Sequence, residues 1–104
     1  GNLIFANTRI GPFTEIENNN VISAYTNIEH HNHIGSNNTY GPAVIYSGSC
    51  STGNNNKFGS GVFIEPNVKI GDNCVLASGV ILTFKVPDKT IVQNKNKFES
   101  RILE

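Results

Sequence analysis

Val62-Phe63-Ile64-Glu65-Pro66-Asn67-Val68-Lys69-Ile70-Gly71-Asp72-Asn73-Cys74-Val75-Leu76 runs through one short pattern again and again. Each time a smaller apolar residue comes first and a large one follows two positions later: Val62 and Ile64, Val68 and Ile70, Cys74 and Leu76. Extended in both directions, the large series reads Ile4, Ile10, Ile16, Ile22, Ile28, Ile34, Tyr40, Tyr46, Thr52, Phe58, Ile64, Ile70, Leu76 and Leu82. The smaller series, two residues ahead, includes Thr8, Thr14, Asn20, Thr26, Asn32, Asn38, Val44, Cys50, Asn56 and Val80. A third series follows each large residue by one and is mostly small or acidic, as at Gly11, Glu29, Gly35, Gly41, Gly53, Gly59 and Gly71. Neither an α-helix nor a hairpin sheet has a period of six.

Such a period describes one short strand and one corner, and three of them close a triangular coil. Side chains alternate along a strand, so the large residue and the one two before it both face inward. Corners strain residues with bulky side chains. That accounts for Gly, Asn and Asp at Gly11, Gly35, Asn37, Asn38, Gly41, Asn55, Gly59, Gly71 and Asp72. The fold expected is all-β: a left-handed parallel β-helix, since a strict hexapeptide period marks that hand despite the usual right-handed rule. Four to five coils would stand roughly 22 Å tall at about 4.8 Å per coil. Residues eighteen apart then lie one above another. Ile10, Ile28, Tyr46, Ile64 and Leu82 make one stack. Ile16, Ile34, Thr52 and Ile70 make the second, and Ile4, Ile22, Tyr40, Phe58 and Leu76 the third.

The expected organisation is a β-helix over 1–84 and a capping segment over 85–104. In that segment Val86-Pro87-Asp88-Lys89 reads as a turn after the frame stops, and Thr90-Ile91-Val92-Gln93 as a last strand. Lys97 to Leu103 reads as a short helix with Phe98 and Ile102 on its covering side. The frame is already running at Ile4, which suggests a first coil that a preceding segment would cover.

With a net charge of zero and only 15% charged residues, the chain carries no electrostatic footprint for nucleic acid or a membrane surface. No apolar run is long enough to cross a membrane. Cys50 and Cys74 both fall in the inward series but on different walls, so no disulfide is expected between them. Reduced, buried thiols suit a cytoplasmic protein.

All three histidines sit in Glu29-His30-His31-Asn32-His33, at one corner and the strand after it. Stacking puts His33 between Glu15 and Ser51, His31 between Phe13 and Ser49, and His30 between Pro12 and Gly48. A polar surface corner with His33 paired to Glu15 is one reading. A metal site is disfavoured, because adjacent His30 and His31 should point apart. General-base chemistry is the third, since imidazole suits neutral pH and a corner is open to substrate.

The repeats resemble those of the hexapeptide acyltransferases. Ile28-Glu29-His30-His31-Asn32-His33-Ile34-Gly35 further resembles a segment Ile/Val-x-His-Asp/Glu-x-x-Ile-Gly of bacterial sugar O- and N-acetyltransferases of the sialic acid and bacillosamine pathways. The likeness continues through Gly48, Gly53, Val68 to Asn73 and Pro87-Asp88. It implies an acetyl-CoA-dependent transfer to a sugar or nucleotide-sugar amine or hydroxyl. His30 would be the general base and the Gly48 backbone N–H the oxyanion donor. It also implies a homotrimer, with acyl-CoA in the groove between two subunits. Ser60, Gly61, Ser78 and Gly79, which recur at eighteen, are the candidate contacts, and Thr39 stands where relatives often carry a second histidine.

Three departures qualify the likeness. His31 stands where the family has an acidic residue that orients the base, which would cost His30 its Nδ1 partner. Gln93-Asn94-Lys95-Asn96 replaces a closing Gly-Asn-Pro-Ala. The expected organisation also leaves out the family's N-terminal sugar-nucleotide domain. A non-catalytic trimeric scaffold is therefore the alternative. A γ-carbonic-anhydrase-like zinc enzyme is more remote, since its histidines come from separated coils.

Overall fold

The computed structural model describes residues 1–95 and 99–103. The chain winds as a left-handed parallel β-helix of about five coils, all-β among the described residues. Each coil contributes one two-residue strand to each of three walls. The first wall stacks Leu3–Ile4, Val21–Ile22, Thr39–Tyr40, Lys57–Phe58, Val75–Leu76 and Ile91–Val92. The second stacks Arg9–Ile10, Asn27–Ile28, Ile45–Tyr46, Phe63–Ile64 and Ile81–Leu82. The third stacks Glu15–Ile16, His33–Ile34, Ser51–Thr52 and Lys69–Ile70. Pairing is parallel with partners eighteen apart, as in Glu15 with His33 and His33 with Ser51.

The large series fills the bore. Ile22, Ile28, Ile34, Ile64 and Leu82 are fully buried, each burial contributing about 1.5–3 kcal/mol. Ile4 and Ile10 point the same way but lie in the end coil and stay partly exposed. One coil breaks the apolar rule: Tyr40, Tyr46 and Thr52, one from each wall, meet inside the bore. The Tyr46 hydroxyl lies 2.9 Å from that of Tyr40 and 2.9 Å from Thr52 Oγ1. Burial raises both phenol pKa values above the ordinary range, so the layer is neutral. Phe58 stacks over Tyr40 with ring centroids 4.4 Å apart.

The smaller inward series is polar on the edge joining the third wall to the first, and there it stitches the coils. The N–H groups of Asn20, Asn38, Asn56 and Cys74 each donate to the side-chain Oδ1 of the asparagine eighteen residues earlier, at 2.7–2.9 Å. The amide nitrogens of Asn20, Asn38 and Asn56 in turn donate to the carbonyls of Gly35, Gly53 and Gly71.

Two sequence expectations are corrected by the structure. The left-handed backbone falls on every sixth residue from Asn7 to Gly79, at φ between 57° and 74°. Asn37 and Asn55 belong to that set; Gly11, Gly35, Asn38, Gly41, Gly59, Gly71 and Asp72 do not. Asn38 faces inward, and glycines of the third series are there because the next coil passes close by. A Cβ on Gly11 would come within 2.8 Å of the Glu29 carbonyl carbon. Nor does the frame stop after Leu82. It resumes two residues short: Val86 bridges Ile70, the Asp88 side chain accepts from the Asp72 N–H sixteen residues away, and Ile91–Val92 pairs with Val75–Leu76. The shortened corner at Thr83 to Lys85 moves every later residue by two, which hides the period in the sequence. Of the expected helix over 97–103, residues 97 and 98, including Phe98, lie outside the described residues. Residues 99–103 form no helix, and Ile102 is exposed.

Tyr46→Phe, which leaves two hydroxyls of the buried layer short of a partner, is expected to lower stability by about 1–3 kcal/mol in denaturant unfolding. Asn38→Ala should cost a similar amount, about 1–3 kcal/mol, by orphaning the Asn56 N–H and the Gly53 carbonyl.

Candidate functional site

At Ile28 the chain leaves the second wall, and it joins the third at His33. The corner between is fixed by backbone bonds on both sides. The His31 N–H donates down to the Pro12 carbonyl at 3.0 Å, and the Ser49 N–H donates to the His30 carbonyl at 3.0 Å. Most polar residues of the inward series give their donor to a carbonyl fifteen residues onward; Asn32 turns back to its own corner. Its amide nitrogen donates to the Glu29 carbonyl at 2.8 Å, which also accepts from Thr14 Oγ1 at 2.9 Å. Asn32 Oδ1 accepts from the Cys50 N–H. This buried asparagine anchors the two histidines from inside.

Stacking brings Gly48 directly over the His30 ring. A Cβ built on Gly48 would lie 2.6 Å from His30 Cε1 and 2.8 Å from Nε2, so only glycine admits the imidazole here. The other ring nitrogen, His30 Nδ1, lies 2.9 Å from His31 Nδ1, with the rings nearly perpendicular at 84°. The expectation that these side chains diverge, and that His30 has lost its Nδ1 partner, is therefore wrong. The left-handed turn at His31 (φ 57°) swings its ring back beside its neighbour. Phe13, one coil below, stacks on His31 with centroids 5.0 Å apart.

The Gly48 amide is open for a simple reason. At several equivalent corner positions the N–H is taken by a side chain one coil up: Ser36 by Asn54, Asn54 by Asp72, Ser60 by Ser78. Above Gly48 the corresponding residue is Pro66, which has no side-chain acceptor. Among the described residues nothing accepts from the Gly48 N–H. The corner thus presents an imidazole and an open backbone donor side by side.

Charges around it are already engaged. Glu29 pairs with Arg9 at 3.1 Å and accepts from Asn27 at 2.9 Å; the Asn27 bond, then the Arg9 one, hold its carboxyl below the usual range. His33 faces the third wall, with Nε2 3.0 Å from Glu17 and Nδ1 3.5 Å from Glu15. Stacking revealed Glu15 but not Glu17, which reaches in from the adjacent third-series position. The described residues hold no group of three or more His, Cys, Asp or Glu placed to bind a metal. Cys50 and Cys74 are free thiols, and burial raises the Cys50 pKa.

The candidate cofactor residues lie elsewhere on the prism. Ser60, Gly61, Ser78 and Gly79 line the edge between the first and second walls, where Ser78 Oγ accepts from the Ser60 N–H and the two glycines take φ of 68° and 74°. Side chains shrink up that edge, from Tyr25 through Ala43 to Gly61 and Gly79, leaving its upper part bare. Thr39 is exposed on the first wall. A single chain unites His30, His31 and Gly48; the second wall separates them from the other five. Sequence reasoning stacked Phe13 under His31 and set Thr14 and Asn32 inward, but gave none of the three a part in the site. The one available signal was polar residues at inward positions.

Residues 49–83 match the family model for the bacterial transferase hexapeptide (six repeats). This stretch carries the hexapeptide repeat. No curated protein matches the chain. Among solved structures, the chain is similar to a perosamine N-acetyltransferase variant from Caulobacter crescentus in complex with CoA and GDP-perosamine. The identity is 18%, the TM-score 0.72, and the match covers 86% of this chain and 49% of that one. It is also similar to serine acetyltransferase isoform 3 from Entamoeba histolytica in complex with cysteine, at 22% identity and TM-score 0.75, over 88% of this chain and 36% of that one. These are likenesses of fold, and the chain spans half or less of each of these proteins. The matched stretch begins one residue after Gly48, so the histidine corner lies outside it.

Gly48→Ala is expected to displace the His30 ring while leaving the coil stack intact. The His30 ring resonances should shift in NMR spectra with little change in melting temperature.

Proposed function

We propose that this β-helix is the catalytic unit of a CoA-dependent acyltransferase. It moves an acetyl group from acetyl-CoA to an amine or hydroxyl of a sugar or nucleotide sugar, with His30 as general base. The observation that carries the reading is the open Gly48 N–H beside a ring whose other nitrogen is already tied. The fold shared with a perosamine N-acetyltransferase bound to CoA and GDP-perosamine supports it.

In this mechanism His30 Nε2 takes the proton from the acceptor N–H or O–H as that atom attacks the thioester carbonyl. The carbonyl oxygen gains the electron pair and becomes an oxyanion, which the Gly48 N–H stabilises. Re-forming the C=O breaks the C–S bond. The CoA thiolate leaves with the proton that His30 gives back. The donor cost nothing to prepare, because no side chain occupies it in the resting fold.

The same reading places the protein in a homotrimer. Within one chain the second wall keeps Ser60, Gly61, Ser78 and Gly79 from His30, so a neighbour's bare edge, set against the histidine corner, completes the CoA groove. Thr39 on the neighbouring first wall joins the same groove.

Acetyl-CoA should raise the melting temperature, and His30→Ala should abolish acetyl transfer to an amino-sugar nucleotide while retaining that thermal shift. Pro66→Asn is the sharper test. Its amide oxygen should capture the Gly48 N–H as Asn54 captures that of Ser36. Stability should be unchanged or higher, and kcat should fall by about 10²–10³, the worth of one oxyanion donor. Wild-type turnover by Pro66→Asn would rule out the Gly48 amide as that donor.

A further inference from the structure

We propose that His31 is the positioning residue for His30: a neutral imidazole that accepts the His30 Nδ1–H and so stands in for a carboxylate. The inference rests on the reading of His30 as the base, but its structural half can be tested without turnover.

Two ring nitrogens 2.9 Å apart share one proton. One ring donates at Nδ1 and the other accepts there. If His31 were the donor, His30 would carry its hydrogen on Nε2 and could take no proton from an acceptor. With His30 as donor, its Nε2 is bare, and His31 keeps its own hydrogen on Nε2, turned to solvent at an exposed corner. The fold offers His30 no better partner. The neighbouring carboxylate, Glu29, is held by Arg9 and Asn27 on the second wall. The coil below supplies Pro12 and Phe13, and the coil above supplies Gly48 and Ser49; none of these carries charge. Glu15 and Glu17 are engaged by His33 on the third wall.

Phe13 gives the arrangement its second support. It holds a left-handed conformation, φ 58°, that penalises a bulky side chain by about 1–2 kcal/mol, and the residue is 78% exposed. Neither burial nor turn preference accounts for a phenylalanine there, where the other two edges begin with Asn7 and Asn19. What it contacts is His31, whose ring it stacks at 5.0 Å. The platform fixes the plane of His31 and hence the direction of its Nδ1 lone pair.

A neutral acceptor differs from a carboxylate in one measurable respect. When His30 takes up a proton at Nε2, a carboxylate would stabilise the resulting cation, whereas His31 adds no opposing charge. Replacing His31 by Glu should therefore restore the bond and also favour the protonated form of His30. Activity is lost as pH falls and the base is protonated, so that loss should begin at a higher pH in His31→Glu than in the wild type.

The experiment combines ring-nitrogen NMR of the ¹⁵N-histidine-labelled full chain, above the imidazole titration range, with pH–rate profiles. In the wild type His30 should be protonated at Nδ1 and bare at Nε2, with His31 the reverse. In His31→Ala, His30 should drift to a mixture rich in the Nε2–H form, and kcat should drop at least about tenfold with KM little changed. His31→Glu should recover kcat and shift the acid limb upward. An Nε2–H form of His30 in the wild type, or the same tautomer in the wild type and His31→Ala, would overturn the proposal. So would wild-type kcat in His31→Ala. Should the wild type transfer no acetyl group, the acyltransferase reading fails, while the tautomer measurement still decides the histidine pair.

Discussion

Everything in this molecule depends on the parallel hydrogen-bond ladder that sets each coil directly over the last. Eighteen residues close a coil, so position in the chain becomes position on the prism. The ladder cannot shift by one residue without turning the isoleucine stacks out to solvent. A shift by six would keep them inside, and there the buried Tyr40–Tyr46–Thr52 layer and the asparagine stitching matter. Their hydrogen bonds are satisfied in one register only. Polar groups in the bore thus supply what a uniform apolar core would lack.

The same constraint builds the site. On the edge joining the third wall to the first, and at Ser60, a corner residue's N–H is claimed by the Ser, Asn or Asp that stacks above it. At the histidine corner the stack runs His30, Gly48, Pro66. Glycine makes room for the ring, and proline leaves the glycine's amide open. Function in this reading comes from an edge that lacks the side-chain caps of the opposite edge, with no special element added.

How much of this was legible in the sequence follows from what the period encodes. Inward and outward positions, the three walls and the placing of His30 against Gly48 were all readable, because the parallel ladder imposes a fixed offset. Side-chain direction at the corners was not. Whether His31 turns toward His30 depends on the left-handed backbone at that residue, and the glycines gave a false indication of where that backbone lies. Gly61 and Gly79 apart, those that line the edges mark close approach between coils, while Asn, Ser, Ala, Phe, Tyr and His carry the turn. The short last coil was hidden for a related reason. A two-residue deletion leaves every local pattern intact and disturbs only the count.

A crystal structure of the protein with CoA bound tests the central claim most directly. The account predicts the thiol at the histidine corner, with sulfur beside His30 Nε2 and the Gly48 N–H facing the position of the thioester carbonyl. CoA seated on another edge, away from His30 and Gly48, would contradict it.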